Sequence, residues 1–300
     1  MRTLVFVFLS AFAASLSYAN ECEQAKVLFV VDRSTTMIQP IDGETETKWA
    51  VARSAVQSIL EVFGDEASFG LMIYPDPEGA GEGGVSGLVD ACEENGVGEI
   101  SLDCGPSEPH CSTGRILTEP MTNNADAIIS RLMTADLNVD TLREAYTPTW
   151  QSLRAAGDYF ANIEGSRKFV ILITDGYQCC GLCNTANHDC TEGDYLPGSG
   201  NLVCRDERGN FEGAEPIPAQ VALLYNEGNA GSVSTYVVGF DFGAQAAFLH
   251  QAALAGGVPR PGCNQGDEAP QDCYYDARNG PALNEALNNI ALEITAELCN

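Results

Sequence analysis

Across 300 residues the chain sets 42 acidic side chains against 15 basic ones, a formal net charge of −27, and 45% of its residues are hydrophobic. Such a surface repels nucleic acid and anionic membranes, favours solubility and attracts cations; it fits adaptation to salt equally well. The length allows one large α/β domain or two small ones, with enough chain to bury a substantial core.

The first twenty residues, MRTLVFVFLSAFAASLSYAN, carry one early arginine, a short apolar run and then small residues. Ser17 and Ala19 fit a small-x-small cleavage pattern, so residues 1–19 read as a secretory signal peptide. The apolar run is short for a membrane span, and no second hydrophobic segment follows. Residues 20–300 read as a single domain, secreted to the periplasm or the exterior.

Next comes KVLFVV, a continuously apolar strand, followed by TKWAVARSAVQSILEVF with apolar residues at helical spacing. ASFGLMIYP reads as a strand stopped by proline, and EISL, 99–102, as a short edge strand. NADAIISRLMTADL and TPTWQSLRAAGDYFANI read as helices, and RKFVILIT as a strand apolar on both faces. PAQVALLYNEG is a helix and SVSTYVVGFDF a strand. AQAAFLHQAALAGG is a helix that stops at a double glycine. CYYDA is a short strand, and GPALNEALNNIALEITAEL is the last helix, with Pro281 in its first turn. Two Cys- and Gly-rich stretches, near 75–115 and 176–215, read as long excursions from the domain.

Strands apolar on both faces that alternate with amphipathic helices predict an α/β fold. It is doubly wound, with a mostly parallel central sheet covered by helices on both faces. Ligands of such sheets bind beyond the carboxyl ends of the strands. Asp32 lies just past VLFVV and Asp175 just past FVILIT, so two carboxylates are expected at one sheet edge. Unaided, they repel, and a bound cation removes the conflict. Ser34 and Thr36 alternate with Asp32 as Asp-x-Ser-x-Thr, so a short turn can aim three hard oxygens one way. Thr147, before Pro148 at a helix start, can supply another. Few carboxylates with several neutral oxygens suit Mg²⁺, with Mn²⁺ or Ca²⁺ as alternatives. Each piece alone has a plainer explanation: DRSTT as a turn or helix cap, Thr147 as an N-cap, TDG as a loop start.

Taken together and in this order, DRSTT, TPT and ITDG resemble the von Willebrand factor A domain, the fold also found as the inserted domain of integrins. The tail, FLHQAALAGG followed by YYDARNGPALNEALNNIALEI, is similar to the last two helices and intervening strand of many bacterial members. The resemblance implies a metal-ion-dependent adhesion site made by Asp32, Ser34, Thr36, Thr147 and Asp175. Thr36 stands where the family has a second serine. REAY stands where paired glycines are common, so Thr149 is the neighbouring candidate for the position given to Thr147. The resemblance further implies adhesion: a protein or cell-surface ligand completes the cation's shell with a carboxylate of its own. Two other readings stand beside it. In one the cation is only structural and partners bind the Cys-rich inserts.

The other is a metal-dependent phosphatase of the haloacid-dehalogenase type, which carries Asp-x-Asp-x-Thr. Here Ser34 replaces the second aspartate, which is the acid/base. The three histidines, His110, His188 and His250, sit in no catalytic pattern, and no phosphate or dinucleotide fingerprint is present, so the chain is expected not to be an enzyme. All twelve cysteines follow the leader, an even number in an oxidising compartment, which points to disulfides rather than zinc ligands. Cys92, Cys104 and Cys111 would staple the first excursion. Cys263 and Cys273 bracket a short Gly/Pro loop, and the family habit of joining domain ends implies a Cys22–Cys299 bond.

Overall fold

The structure is a computed structural model that describes residues 24–41, 43, 45–76, 113–135, 147–165, 167–175, 216–226, 232–240, 247–266 and 272–296. The expected signal peptide, residues 77–112 of the first excursion, all of 176–215, EISL, His110, His188, and the cysteines other than Cys263 and Cys273 lie outside these residues.

Among the described residues six strands form one sheet: β1 (Lys26–Asp32), β2 (Ser68–Tyr74), β3 (Arg115–Met121), β4 (Lys168–Thr174), β5 (Val233–Phe240) and β6 (Tyr275–Ala277). Their spatial order is β3-β2-β1-β4-β5-β6, every pairing parallel except the antiparallel β2–β3. Among the described residues the helices are α1 (Lys48–Phe63), α2 (Ala125–Thr134), α3 (Thr149–Ala161), α4 (Pro216–Asn226), α5 (Ala247–Ala255) and α6 (Gly280–Ala296).

The apolar strands are apolar on both faces because both faces are covered. Val27, Phe29 and Val31 of β1, with Phe169, Ile171 and Ile173 of β4, pack into one core with α1, α2 and α6. Leu28 and Val30, with Val170 and Leu172, point the other way into a second core with α3, α4 and α5. This is the doubly wound α/β architecture expected from the sequence.

β3 is the element the sequence reading passed over. Its side chains are mostly half-buried or exposed, and it carries Pro120. Proline has no N–H to give a sheet, so it belongs on an edge strand, and β3 is one. Opposite it, a Cβ at Gly70 would stand 2.6 Å from the Pro120 ring, so glycine lets the proline lie flat on β2. At the other end of the chain, α5 stops as its double glycine predicts: Gly256 N–H donates to Ala252, and Gly257 turns the backbone at φ +77°. Cys263 and Cys273 are disulfide-bonded. His250 is a core residue whose Nδ1 accepts the Cys273 N–H at 3.2 Å.

Candidate metal centre

β1 and β4 are neighbours in parallel register, so their carboxyl ends come out side by side. That register brings Asp32, the last residue of β1, next to Asp175, which directly follows β4. Past Asp32 the chain makes a single 3₁₀ turn, Thr35–Ile38. The turn folds because Asp32 Oδ1 accepts the Ser34 N–H at 2.8 Å, a local bond typical of aspartate. In this respect the plain reading of DRSTT as a turn is correct.

The hydrogen bonds do not stay local. Ser34 Oγ and Thr36 Oγ1 are 3.1 Å apart, and Thr36 Oγ1 donates to Asp175 Oδ1 at 2.7 Å across 139 residues of chain. Thr174 Oγ1 donates to Asp32 Oδ2 at 2.7 Å, linking the end of β4 back to β1. Four of the five predicted residues therefore belong to one network. Asp32, Ser34 and Asp175 are 0%, 1% and 4% exposed, and Thr36 is half-buried. Burial and the neighbouring Asp175 charge raise the Asp32 carboxyl to about 7, against hydrogen bonds from Ser34 and Thr174 that favour the anion.

Thr147 is buried two residues before α3, and its carbonyl accepts the Thr149 N–H at 2.9 Å. It is not the helix cap: the N-cap of α3 is Pro148, with no side-chain cap bond. Thr149 is engaged differently, its hydroxyl donating to the Tyr74 phenol at 3.3 Å. Tyr74 ends β2 beside Asp32, whose backbone neighbour Arg33 donates its N–H to the Tyr74 carbonyl at 2.6 Å. Burial, and then the Asp32 charge, push the Tyr74 phenol well above its ordinary range, so it stays neutral in the floor of the site. The start of α3 thus reaches the same sheet edge as the two aspartates.

The sequence reading missed Lys48. Its Nζ donates to Asp175 Oδ2 at 2.9 Å, and its side chain is 10% exposed. Local structure puts it there. Thr47 caps α1 by accepting the Ala50 N–H, Pro40 and Thr47 form a backbone bridge, and the Lys48 N–H donates to Gln39. The 3₁₀ turn and the first residue of α1 are thereby clamped together. The missed signal was scarcity: the chain has only three lysines, and this one opens a helix. A cation at a helix N-terminus opposes the helix dipole, so its placement needs a reason outside the helix.

The donor set fits a hard divalent cation: two buried carboxylates at the ends of neighbouring strands, with the Ser34 and Thr36 hydroxyls between them. Among the described residues no group of three His, Cys, Asp or Glu side chains gathers, so ligation there would depend on Ser and Thr oxygens.

Neither a family model nor a curated protein matches the chain. Solved structures do. The pilus adhesin SpaC from Lactobacillus rhamnosus GG matches with 16% identity and a TM-score of 0.50, over 91% of this chain and 31% of that one. The PilB minor pilin from Streptococcus sanguinis matches with 14% identity and a TM-score of 0.55, over 92% of this chain and 62% of that one. The chain spans less than two thirds of either protein, and at these identities the likeness is one of fold.

Proposed function

We propose that this protein is an exported binding module of the adhesive type, not an enzyme, that engages a protein or surface ligand through a divalent cation. Asp32, Ser34, Thr36, Thr147 and Asp175 would hold the ion, Mg²⁺ by preference and Mn²⁺ or Ca²⁺ as substitutes. The reading is carried by one observation: two buried carboxylates at the ends of neighbouring strands, joined through Ser34 and Thr36 into a single oxygen cluster. A cluster serving only packing would gain from fewer formal charges, because each buried ion is costly to desolvate. The order of DRSTT, TPT and ITDG, which resembles the von Willebrand A adhesion site, supports the same reading. So do the fold's neighbours, a pilus adhesin and a minor pilin. The leader-like start of the chain supports export. Among the described residues no helix is long and apolar enough to cross a membrane.

Calorimetric titration of the oxidised protein with Mg²⁺, Mn²⁺ and Ca²⁺ tests this. A single saturable event is expected, abolished in Asp32→Ala while the variant's circular dichroism stays native. Undiminished cation affinity in that variant would remove Asp32 from the site and the proposal with it.

A further inference from the structure

The outer flank of α6 forms a groove with β6, the last strand of the sheet among the described residues. Ala282, Glu285, Ala286, Asn289, Leu292 and Glu293 recur at intervals of three and four, so they form one stripe along the helix. Pro261, Tyr275 and Asp276 face them across a space of about 530 Å³, the size of an ordinary ligand site. A neighbouring stripe of α6, with Leu283, Leu287, Ile290 and Ile294, is already buried in the core. Leu292 is not used in packing the helix, and it stands 55% exposed among carboxylates.

The groove also carries charge. Arg260 at its rim pairs with Asp272, and Asp276 pairs with Arg278. Glu285 and Glu293 have no basic partner among the described residues. Glu293 Oε1 accepts the Tyr275 phenol at 3.0 Å. Burial, and then the Glu293 charge, hold that phenol above its ordinary range, so it stays a neutral donor. Such a donor fixes the carboxylate in the groove wall without cancelling its charge.

We propose that this groove docks an extended segment of a partner protein, with two basic side chains four positions apart and an apolar one between them. Charge selects the class of partner. At a net charge of −27, a second copy of this chain, nucleic acid and anionic membranes are repelled, and a basic protein segment is attracted. Spacing selects its shape. Glu285 and Glu293 stand about 12 Å apart along the helix axis, at about 1.5 Å per residue. Side chains four positions apart on an extended segment point the same way and span about 13 Å. The central one then falls between the two carboxylates, where Ala286 and Leu292 supply apolar surface. β6 pairs only with β5 among the described residues, and an extended segment can run beside such an edge. Neither Asp32 nor Asp175 lines the groove, so the proposal does not depend on the cation reading.

The probe is the peptide acetyl-Lys-Thr-Val-Thr-Lys-amide, titrated calorimetrically into the full chain in metal-free buffer. A second peptide of the same composition, acetyl-Lys-Lys-Thr-Val-Thr-amide, keeps the charge and loses the spacing. The spaced peptide is expected to bind roughly fivefold more tightly, since only it meets both carboxylates. Glu285→Gln combined with Glu293→Gln should erase that preference; glutamine still offers the Tyr275 phenol an oxygen. Glu61→Gln combined with Glu66→Gln changes the net charge equally on the exposed end of α1, and should leave the preference intact. Leu292→Ser, at an exposed position, should weaken the spaced peptide by about threefold through lost apolar contact. Three results overturn the proposal: no binding of the spaced peptide, equal binding of the two peptides, or equal losses in the two double variants. The last two would mean that only the overall acidity of the surface is felt. Self-association of the wild type in sedimentation, removed by Leu292→Ser, would give the groove to a second copy and also overturn it.

Discussion

The two edges of the sheet handle buried charge in opposite ways. At the amino end, Lys26 and Lys168 are register partners on β1 and β4. Both ammonium groups end on backbone oxygens: Lys26 on Pro120, Lys168 on Phe160 and Ile163 beyond the end of α3. Lysine at the carboxyl end of a helix complements its dipole and satisfies carbonyls that have no partner within the helix. Arg167 lies 5.5 Å from the Phe169 ring centre. At the carboxyl end, Asp32 and Asp175 face one another, and Lys48 sits against its own helix dipole. The amino edge uses charge where the backbone already favours it. The carboxyl edge keeps charge where local structure disfavours it, a contrast that the proposed cation site would explain.

Breaking the carboxyl edge should have the largest effect. Asp175→Ala strands the Lys48 ammonium and is expected to lower the unfolding free energy by about 3 kcal/mol, with relief of Asp32 repulsion offsetting part of the loss. It should also abolish Mn²⁺ binding; chemical denaturation and calorimetry read the two effects separately. Thr36→Val removes the hydroxyl that joins Ser34 to Asp175. A hydrogen bond to a charged group contributes about 1.5–3 kcal/mol, so stability should fall by that order and cation affinity with it. Breaking the amino edge sharpens the contrast. Lys168→Met should cost about 1–3 kcal/mol through the loss of the ammonium's bonds to the Phe160 and Ile163 carbonyls, yet leave Mn²⁺ affinity unchanged. A loss of affinity there would mean that the edges are not independent.

The smallest effect is a pH slope. Asp32 titrates near 3.8 when unfolded and at about 7 when folded, so the folded state holds the extra proton between those values. For this group, cation-free stability is fully present below the unfolded value and is lost as pH rises through the folded one. Cation affinity should run the other way, rising over the same window as the competing proton leaves. Denaturation midpoints across pH, with and without Mn²⁺, would show the two slopes crossing. Parallel slopes would detach Asp32 from the ion.

Much of this was legible in the chain. VLFVV and FVILIT could only be strands covered on both faces, and such strands read as central and parallel. Once they were neighbours, the aspartates that follow them had to share an edge. What local pattern could not reveal was what comes from elsewhere to meet them. β3 escaped because an edge strand with a proline and half-exposed side chains has no clean alternation. Tyr74 and Thr174 escaped because they end apolar runs and look like ordinary strand residues; only the sheet register turns their hydroxyls toward the carboxylates.

The sequence by itself determined the layered fold and the acidic character of one sheet edge, because hydrophobic periodicity and the place of a residue after a strand are local properties. The tertiary structure alone decided that Lys48 joins that edge. Its contact with Asp175 spans 127 residues, and it depends on a bridge between Pro40 and Thr47 that no repeat or spacing announces.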